Sequence, residues 1–391
     1  MTVIALRDPL AGLPDLDAVL PAITADFAAT AGQFDRDAVF PAENIARLHR
    51  EGLLALTAPR ELGGGGADLP TALRVVRAVA KGEAATALAL VMQYLFHRSL
   101  GAGRAGWTEA LKRQVVGDAL RDGALINALR VEPELGTPAR GGLPATIARR
   151  TPDGWSLSGR KIYSTGSTAL TWMVVWARTD DPEPKVGGFL VHRDAPGRRI
   201  EATWDHLGLR ASASHDVIFE NTPIPLENAL DPQALGGSQQ TDPGFAAWSA
   251  VLTAGLYDAV AEAARDWFVG WAATRTPANL GAPLSSLPRY QEAVGRIDAL
   301  LLSNRALLAQ AARGEVTPVE AGLVKHTVTE TAIAAVDIAV ALSGNPGLVR
   351  SSPLERHHRD VLCGRIHTPQ ADVALTGAGR VAFAAAAARA S

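Results

Sequence analysis

The stretch TPDGWSLSGRKIYSTGS, residues 151–167, decides the architecture of this chain. Asp153-Gly154 is a turn pair that favours a tight hairpin, and short segments rich in β-branched and aromatic residues lie on both sides of it. Gly and Pro punctuate further segments of this kind: Ala124–Leu129, Pro144–Arg149, Gly154–Ser158, Trp172–Ala177, Val186–Val191 and His215–Phe219. The sequence therefore predicts an antiparallel β-domain of about one hundred residues.

Working outward toward the N-terminus, residues 1–115 read as helical. Apolar residues recur at helical spacing in Asn44–Leu56, Leu69–Val79 and Ala84–Leu95. Gly63–Gly66 must form a loop, because four successive glycines would be too costly inside a helix. These glycines stand outside the strand-turn-helix context of a phosphate-binding loop, so we interpret them as a plain connection.

Toward the C-terminus the chain is helical again. Three long periodic segments and a fourth, Ala-rich one follow the β-domain: Phe245–Thr274, Ser286–Ala312, Thr317–Leu342 and Pro353–Ala388. Long helices with short connections predict an up-down four-helix bundle. The expected fold is thus α+β, with an N-terminal helical domain (1–118), a middle antiparallel β-domain (119–228) and a C-terminal bundle (229–391).

Bulk composition excludes several functional classes. The 391 residues are 47% hydrophobic and 20% charged, with a net charge of -2, which favours a globular chain and argues against nucleic-acid or membrane-surface binding. Cys363 is the single cysteine, so neither an intrachain disulfide nor a cysteine-based zinc site is expected, and no metal is expected. No signal peptide or long uncharged apolar stretch is evident, which predicts a cytoplasmic protein without membrane spans.

Several motifs, in order, carry a family resemblance: APRELGGGGAD (58–68), VEPELGTP (131–138), GWSLSGRKIYSTGS (154–167), LGLRASASHDVIFENTPIP (207–225), RTPANLGAPLSSLPRYQ (275–291), ALSGNPG (341–347) and RHHRD (356–360). Their joint order and spacing resemble the acyl-CoA dehydrogenase superfamily along nearly the whole chain. The resemblance implies a helix–sheet–helix fold and a flavin cofactor, which needs backbone donors, a flat wall and cations near its phosphate.

The resemblance implies residues for each part of the flavin. The ring edge would be lined by Asn127, Val131, Glu132 and Thr137, and the ring face by Tyr163, Ser164 and Thr165. Tyr163 stands where the family usually carries Trp. The alternative interpretation is that Tyr163 is an ordinary half-buried aromatic residue of a strand. Arg275, Gln291 and the Ser343–Gly344 turn would lie near a phosphate, unless Arg275 is merely solvated. Val340 replaces a Gln that is frequent in the family, so FAD and FMN both remain open.

The catalytic carboxylate of the dehydrogenases is absent from both positions known in the family. Removing an α-proton from a thioester takes a carboxylate at the substrate carbon. Counting nine residues from Arg359 gives Thr368, and the minority position falls near Trp248, with no acidic residue between Asp242 and Asp258.

His367-Thr368-Pro369 instead resembles the monooxygenase branch of the family, which includes dibenzothiophene monooxygenase. VMQYLFHRS resembles an early helix of that branch and points to His97. There, reduced flavin from a separate reductase reacts with oxygen, and histidine suits proton relay because its pKa lies near neutrality. The resemblance implies that His97 and His367 flank the reactive ring atom, with Ser164 or Thr165 as a supporting hydroxyl.

Three functions follow from this reading. The first is a two-component monooxygenase acting on a small substrate, with a flavin reductase as partner. The second is an acyl-CoA dehydrogenase with a relocated base and an electron-transfer flavoprotein as partner. The third is a non-catalytic flavin-binding scaffold. Phe245, Trp248 and Leu252 are candidate substrate contacts or, alternatively, core residues. Assembly as a homotetramer, or else a homodimer, is expected by resemblance.

Overall fold

The computed structural model of the protein describes residues 14–101, 106–135, 142–234 and 243–390. The N-terminal region consists of helices packed around an apolar centre: α1 (Leu16–Asp37), α2 (Ala42–Arg50), α3 (Leu69–Gly82), α4 (Ala84–Gly101) and α5 (Glu109–Asp122). Side-chain oxygens of Asp15, Asp68 and Thr108 cap α1, α3 and α5 by accepting from backbone N–H groups of the first turn. Helix α2 ends at Arg50, earlier than the expected Leu56, because Gly52 takes a left-handed backbone with φ 72°.

The middle region is one sheet, whose described strands are β1 (Leu125–Leu129), β2 (Ile147–Thr151), β3 (Gly154–Lys161), β4 (Leu170–Thr179), β5 (Lys185–His192), β6 (Arg198–Glu201), β7 (Asp216–Pro225) and β8 (Ala229–Ala234). The strand order is β6-β7-β3-β2-β4-β5-β8, with β1 also paired to β4. The β2–β3 hairpin turns at Asp153-Gly154 as predicted, with Thr151 opposite Gly154.

The sheet is mixed, so the prediction of an antiparallel domain was wrong in this respect. Strand β4 pairs in parallel with both β1 and β2. A parallel pair needs a long crossover, which the chain from residue 130 to 169 supplies between β1 and β4. Strand β8 lies beyond the expected boundary at residue 228 because it pairs with β5 and completes that edge of the sheet.

The C-terminal region contains α6 (Pro243–Thr274), α7 (Pro288–Ala312), α8 (Pro318–Ser343), α9 (Asn345–Leu348), α10 (Pro353–Leu362) and α11 (Ala371–Ala390). The fourth bundle segment, expected to run over Pro353–Ala388, is two helices instead of one. A short 3-10 helix at Cys363–Arg365 and the turn through Pro369 separate α10 from α11, because proline cannot continue the preceding helix.

One apolar core joins the three regions. It includes Leu90 of α4, Phe189 of β5 and Val260 of α6 in a single buried cluster. Helix α6 packs against α8, α3, α4 and α10, so it contacts the N-terminal region as well as its own bundle. Its length and mean hydropathy would let it cross a membrane, but 67% of its most apolar window is buried inside the protein. Within the described residues, α11 is the second helix of sufficient length and hydropathy, and it is mostly exposed.

Candidate functional site

Tyr163 forms an aromatic wall on the sheet, in the turn between β3 and β4. Its backbone is left-handed, with φ 55°, and its side chain is 54% exposed. The Tyr163 ring meets Trp204 edge-on at 6.3 Å and His206 at 5.7 Å between centroids; those two rings stack at 3.7 Å. A left-handed backbone strains a bulky residue, and such strain is concentrated at functional sites. The turn thus presents an aromatic ring at the surface despite that strain.

Polar groups lie directly behind this wall. The Ser164 hydroxyl is buried and has no hydrogen-bond partner among the described residues, a state that costs free energy unless a ligand or water supplies one. Thr165 Oγ1 lies 3.0 Å from Ser214 Oγ, and Asn127 Nδ2 donates to the Thr165 carbonyl at 3.1 Å. A flat exposed ring beside an unpaired hydroxyl fits the ring of a flavin.

Two other expected ring-edge residues are engaged within the protein. The Glu132 carboxylate is buried and accepts from Lys161 Nζ at 2.6 Å and from the hydroxyl and backbone of Thr146. The Val131 carbonyl accepts from the Ile162 backbone at 3.0 Å. The structure therefore uses both groups to hold the β3 segment. Thr137 lies outside the described residues.

The expected phosphate residues come together at one end of the bundle, because Arg275 follows the end of α6, Gln291 lies in the first turn of α7, and Gly344 follows the end of α8. Arg275 and Gln291 are exposed, and Gln291 Nε2 donates to the Ser285 carbonyl at 3.0 Å. Gly344 has φ 60° and open space where a Cβ would be. A cation and an open glycine turn at the same end of the bundle suit an anionic group.

His97 lies in the interior and not at a surface. Its side chain on α4 is fully buried, its Nε2 is 3.3 Å from Gln93 Nε2, and its Nδ1 has no partner among the described residues. Gln93 also donates to the Ala124 carbonyl and accepts from Ile126 N. Burial lowers the pKa of His97 to about 4. The ring is therefore uncharged around neutral pH, and it is Gln93 that joins α4 to the start of β1.

His367 lies half-buried in the turn between α10 and α11, where the family carries its base. Its Nδ1 is 2.6 Å from Tyr257 Oη of α6 and 3.1 Å from the Cys363 carbonyl. Burial, with help from the positive charge of Lys325, lowers the pKa of His367 to about 4. Around neutral pH the imidazole is uncharged and can donate or accept a proton through its second nitrogen.

Lys325 of α8 holds this turn in place. Its buried ammonium donates to the carbonyls of Gly364 at 2.6 Å and His367 at 2.7 Å, and burial lowers its pKa to about 8. Gly364 packs so closely that a Cβ there would lie 2.8 Å from Thr329 Cγ2 and 3.0 Å from Tyr257 Cδ2. Helices α6 and α8 and the short 3-10 helix at Cys363–Arg365 thus fix the position of His367.

No carboxylate was found where the dehydrogenases place theirs. Thr368 is exposed in the His367 turn, and α6 has its first acidic residue at Asp258. Asp258 is fully buried. Its carboxylate forms an ion pair with Arg77 and accepts a hydrogen bond from Asn304 Nδ2 at 2.8 Å. It serves as an anchor between helices and cannot reach a substrate.

The expected substrate residues differ in accessibility. Phe245 and Trp248 are half-buried, and Arg98 lies over the Trp248 ring at 5.5 Å, which brings the end of α4 next to the start of α6. Leu252 is fully buried in the core. Two surface cavities, of about 320 and 590 Å³, lie elsewhere, beside Trp172 and beside Arg265. No group of three or more metal-ligating side chains occurs within the described ranges.

Tyr257, Lys325 and Gln93 were missed by the sequence analysis. Tyr257 and Gln93 look like ordinary members of apolar helices. The role of Tyr257 depends on contact with His367, 110 residues away, and that of Gln93 on contacts with His97 and with the start of β1. Lys325 gave a weak signal, since it is a cation directly after the apolar run Ala321–Val324 of α8. A buried cation normally requires partners, and these lie in the turn around His367.

Comparisons with known proteins agree on one family across all three regions of the chain. The acyl-CoA dehydrogenase N-terminal, middle and C-terminal domain models match residues 17–119, 130–222 and 259–371. The putative acyl-CoA dehydrogenase YdbM of Bacillus subtilis is 36% identical, over 90% of this chain and 92% of that protein. These matches confirm the expected fold and family.

Two further relatives are named as other enzymes of this fold. L-evernosamine nitrososynthase from a Micromonospora species is 31% identical, over 93% of this chain and 89% of that protein. The structure of KijD3 in complex with FMN and dTDP-3-amino-2,3,6-trideoxy-4-keto-3-methyl-D-glucose has a TM-score of 0.81 and 27% identity, and covers 97% of both chains.

Proposed function

The chain belongs to the acyl-CoA dehydrogenase family of flavin-dependent oxidoreductases, and we propose that it is a two-component monooxygenase using reduced flavin and O2. The observation that carries this proposal is the uncharged His367, held by Tyr257 at 2.6 Å in the turn where a dehydrogenase needs a carboxylate. A neutral imidazole can hydrogen-bond an oxygen atom and pass on a proton.

We propose that a flavin, FMN or FAD, binds against Tyr163, with Ser164, Thr165 and Asn127 at its polar edge and Arg275, Gln291 and Gly344 near a phosphate. Bound flavin would supply electrons for oxygen activation. The exposed Tyr163 ring and the unpaired Ser164 hydroxyl support the ring site. Val131, Glu132 and, outside the described residues, Thr137 would border it, with the Glu132 carboxylate acting only through the fold.

The substrate proposed is a small amine that becomes oxidised at nitrogen. This choice is supported by the likeness to L-evernosamine nitrososynthase and to KijD3 bound to FMN and an amino-sugar nucleotide. Phe245 and Trp248 would contribute an apolar surface, while Leu252 supports it from the core. The expected partners are the amine substrate and a flavin reductase, and the expected compartment is the cytoplasm.

The decisive experiment compares two oxidation reactions. Protein reconstituted with FMN or FAD is mixed anaerobically with acyl-CoAs of several chain lengths, and flavin absorbance is recorded. We expect no bleaching. Photoreduced protein is then mixed with O2 and an amine panel, and oxygenated product and H2O2 are measured. Bleaching by any acyl-CoA would overturn the proposal.

Two histidine variants separate the proposed roles. We expect His367→Ala to lower the product rate by about 100-fold and to divert oxygen to H2O2, because proton transfer in the site is lost. His97→Ala should mainly lower stability, since its ring is fully buried. A specific loss of product formation in His97→Ala, with unchanged stability, would restore His97 to the catalytic role that the resemblance implied.

The second candidate is an acyl-CoA dehydrogenase with a relocated base and an electron-transfer flavoprotein as acceptor. The 36% identity to the putative acyl-CoA dehydrogenase YdbM favours it. Bleaching by acyl-CoA followed by electron transfer to an electron-transfer flavoprotein would establish it. A colourless protein that neither flavin stabilises against heat would favour the third candidate, a scaffold without chemistry.

A further inference from the structure

The contact between His367 Nδ1 and Tyr257 Oη, at 2.6 Å, can form in two ways. Either the phenol hydroxyl donates to an unprotonated Nδ1, or a protonated Nδ1 donates to the phenol oxygen. The two arrangements place the proton of the neutral ring on opposite nitrogens. They therefore decide whether the second nitrogen, Nε2, offers a proton or accepts one.

The partners around the ring distinguish the two arrangements. Tyr257 is fully buried, and its hydroxyl has no other acceptor within the part of the chain that the structure describes. The Cys363 carbonyl, 3.1 Å from Nδ1, already accepts from Ile366 N at 3.3 Å. A protonated Nδ1 would leave the buried phenol hydrogen without an acceptor, whereas donation by the phenol to Nδ1 pairs that hydrogen. Leaving a buried donor unpaired is the costlier state.

We infer that Tyr257 donates to His367 Nδ1 and thereby fixes the neutral imidazole with its proton on Nε2. Tyr257 is then a positioning residue that makes Nε2 of His367 a hydrogen-bond donor. The acceptor of that hydrogen bond rests on the proposed function, in which it is an oxygen atom in the site. The same tautomer leaves Nε2 without a free lone pair, so His367 cannot remove a substrate proton through that atom.

The surroundings of the pair support this assignment. The ammonium of Lys325 on α8 holds the carbonyls of Gly364 and His367, and its charge opposes a second proton on the ring. Cys363 is a further titratable group in the turn, and burial raises its pKa to about 12, which keeps the thiol neutral. Arg365, also in the turn, is paired with Glu330. The close packing of Gly364 on the Tyr257 ring keeps the phenol aligned.

The tautomer can be measured on the resting protein without any turnover. Full-length protein labelled with ¹³C and ¹⁵N at histidine is studied by solid-state carbon–nitrogen correlation NMR at neutral pH, and His367→Gln identifies its signals. We expect an unprotonated Nδ1 and a protonated Nε2. A protonated Nδ1 in the wild-type protein would overturn the inference. Because no flavin or substrate is needed, this result is independent of whether the protein is a monooxygenase.

Tyr257→Phe removes only the hydroxyl. We expect the tautomer to switch, with Nδ1 donating to the Cys363 carbonyl, and the pKa of His367 to rise by about 0.5 to 1, because the neutral ring loses its donor. A fall in that pKa would mean that the phenol accepts from the ring, and would overturn the inference. The matched control Tyr290→Phe, whose hydroxyl donates to the Leu342 carbonyl, should leave both the tautomer and the pKa of His367 unchanged.

Discussion

At the residue scale, Glu132 and Lys161 form a buried ion pair beneath the proposed flavin wall. Lys161 Nζ lies 2.6 Å from Glu132 Oε1, and both side chains are almost fully buried. Burial acts to raise the pKa of Glu132, but hydrogen bonds from Lys161 and Thr146 outweigh it and hold the pKa below its usual value. The charged pair fixes the end of β3, from which the chain turns directly into Tyr163.

We expect Glu132→Gln to destabilise the protein by about 3–5 kcal/mol at neutral pH, because the buried Lys161 ammonium loses its counter-charge. The stabilisation by Glu132 is present above its unfolded pKa and lost as pH falls through its lower folded pKa, so the difference should shrink in acid. Urea unfolding at several pH values measures this difference in the free energy of unfolding between Glu132→Gln and the wild-type protein.

The control for this prediction is Glu292→Gln, which breaks the exposed pair with Arg296 and should cost less than about 1 kcal/mol. Replacing both buried partners, as Glu132→Gln with Lys161→Met, should recover part of the loss. Equal effects of the buried and the exposed single variants would contradict the prediction.

The sequence indicated the local hairpin at Asp153-Gly154, which the structure confirms, but it did not indicate the partners of the buried side chains. The Glu132 network depends on Thr146 and Lys161, and pairing across strands cannot be inferred from local periodicity. Tyr257 and His367 are separated by 110 residues, so only the fold shows that they touch.

At the element scale, helix α10 connects the three regions. Arg359 pairs with both oxygens of Asp35 in α1, at 3.0 and 2.6 Å, and donates to the Leu207 carbonyl of the β-domain. Asp360 accepts from Leu209 N at 2.7 Å. Since the His367 turn follows α10 directly, these contacts also set its position relative to the aromatic wall. The sequence identified this Arg-Asp pair only as part of a motif.

Asp360 should make stability depend on pH near neutrality. Burial raises its pKa to about 7, so the folded protein keeps this proton more tightly than the unfolded chain does. The stability of the folded protein therefore has the full contribution of the protonated Asp360 carboxyl below about pH 4, and this contribution is lost as pH rises through 7. We expect Asp360→Asn, which can still accept from Leu209 N, to gain about 2–4 kcal/mol on the wild-type protein between pH 5 and pH 8.

Urea unfolding of both proteins at pH 5 and pH 8 gives the stability of Asp360→Asn relative to the wild-type protein at each pH. Comparing the two pH values removes any pH-independent cost of the amide. Asp181→Asn, an exposed carboxylate in the turn between β4 and β5, is the control and should follow the wild-type protein. Parallel pH profiles for Asp360→Asn and the wild-type protein would contradict the prediction.

At the scale of the whole molecule, α11 is an apolar helix that packs on α8 but is otherwise left largely uncovered by the residues that the structure describes. Only 6% of its most apolar window is buried, and Phe383 is 80% exposed, with Val373, Leu375 and Val381 also exposed. A patch of this kind indicates an interface with protein or membrane. Because α11 begins just after the His367 turn, whatever covers it also closes the approach to that turn from this side.

We expect a second copy of the chain to cover α11 in a homotetramer or homodimer. Burying Phe383 would contribute about 1.5–3 kcal/mol per copy, whereas Phe383→Glu would place a charge in the contact and dissociate the assembly. Light scattering should give an oligomeric mass for the wild-type protein and a lower mass for Phe383→Glu. Leu226→Glu, at an exposed leucine of the β-domain, should retain the wild-type mass. A monomeric wild-type protein, or one that requires detergent, would contradict the assembly, and in the second case α11 would be a membrane contact.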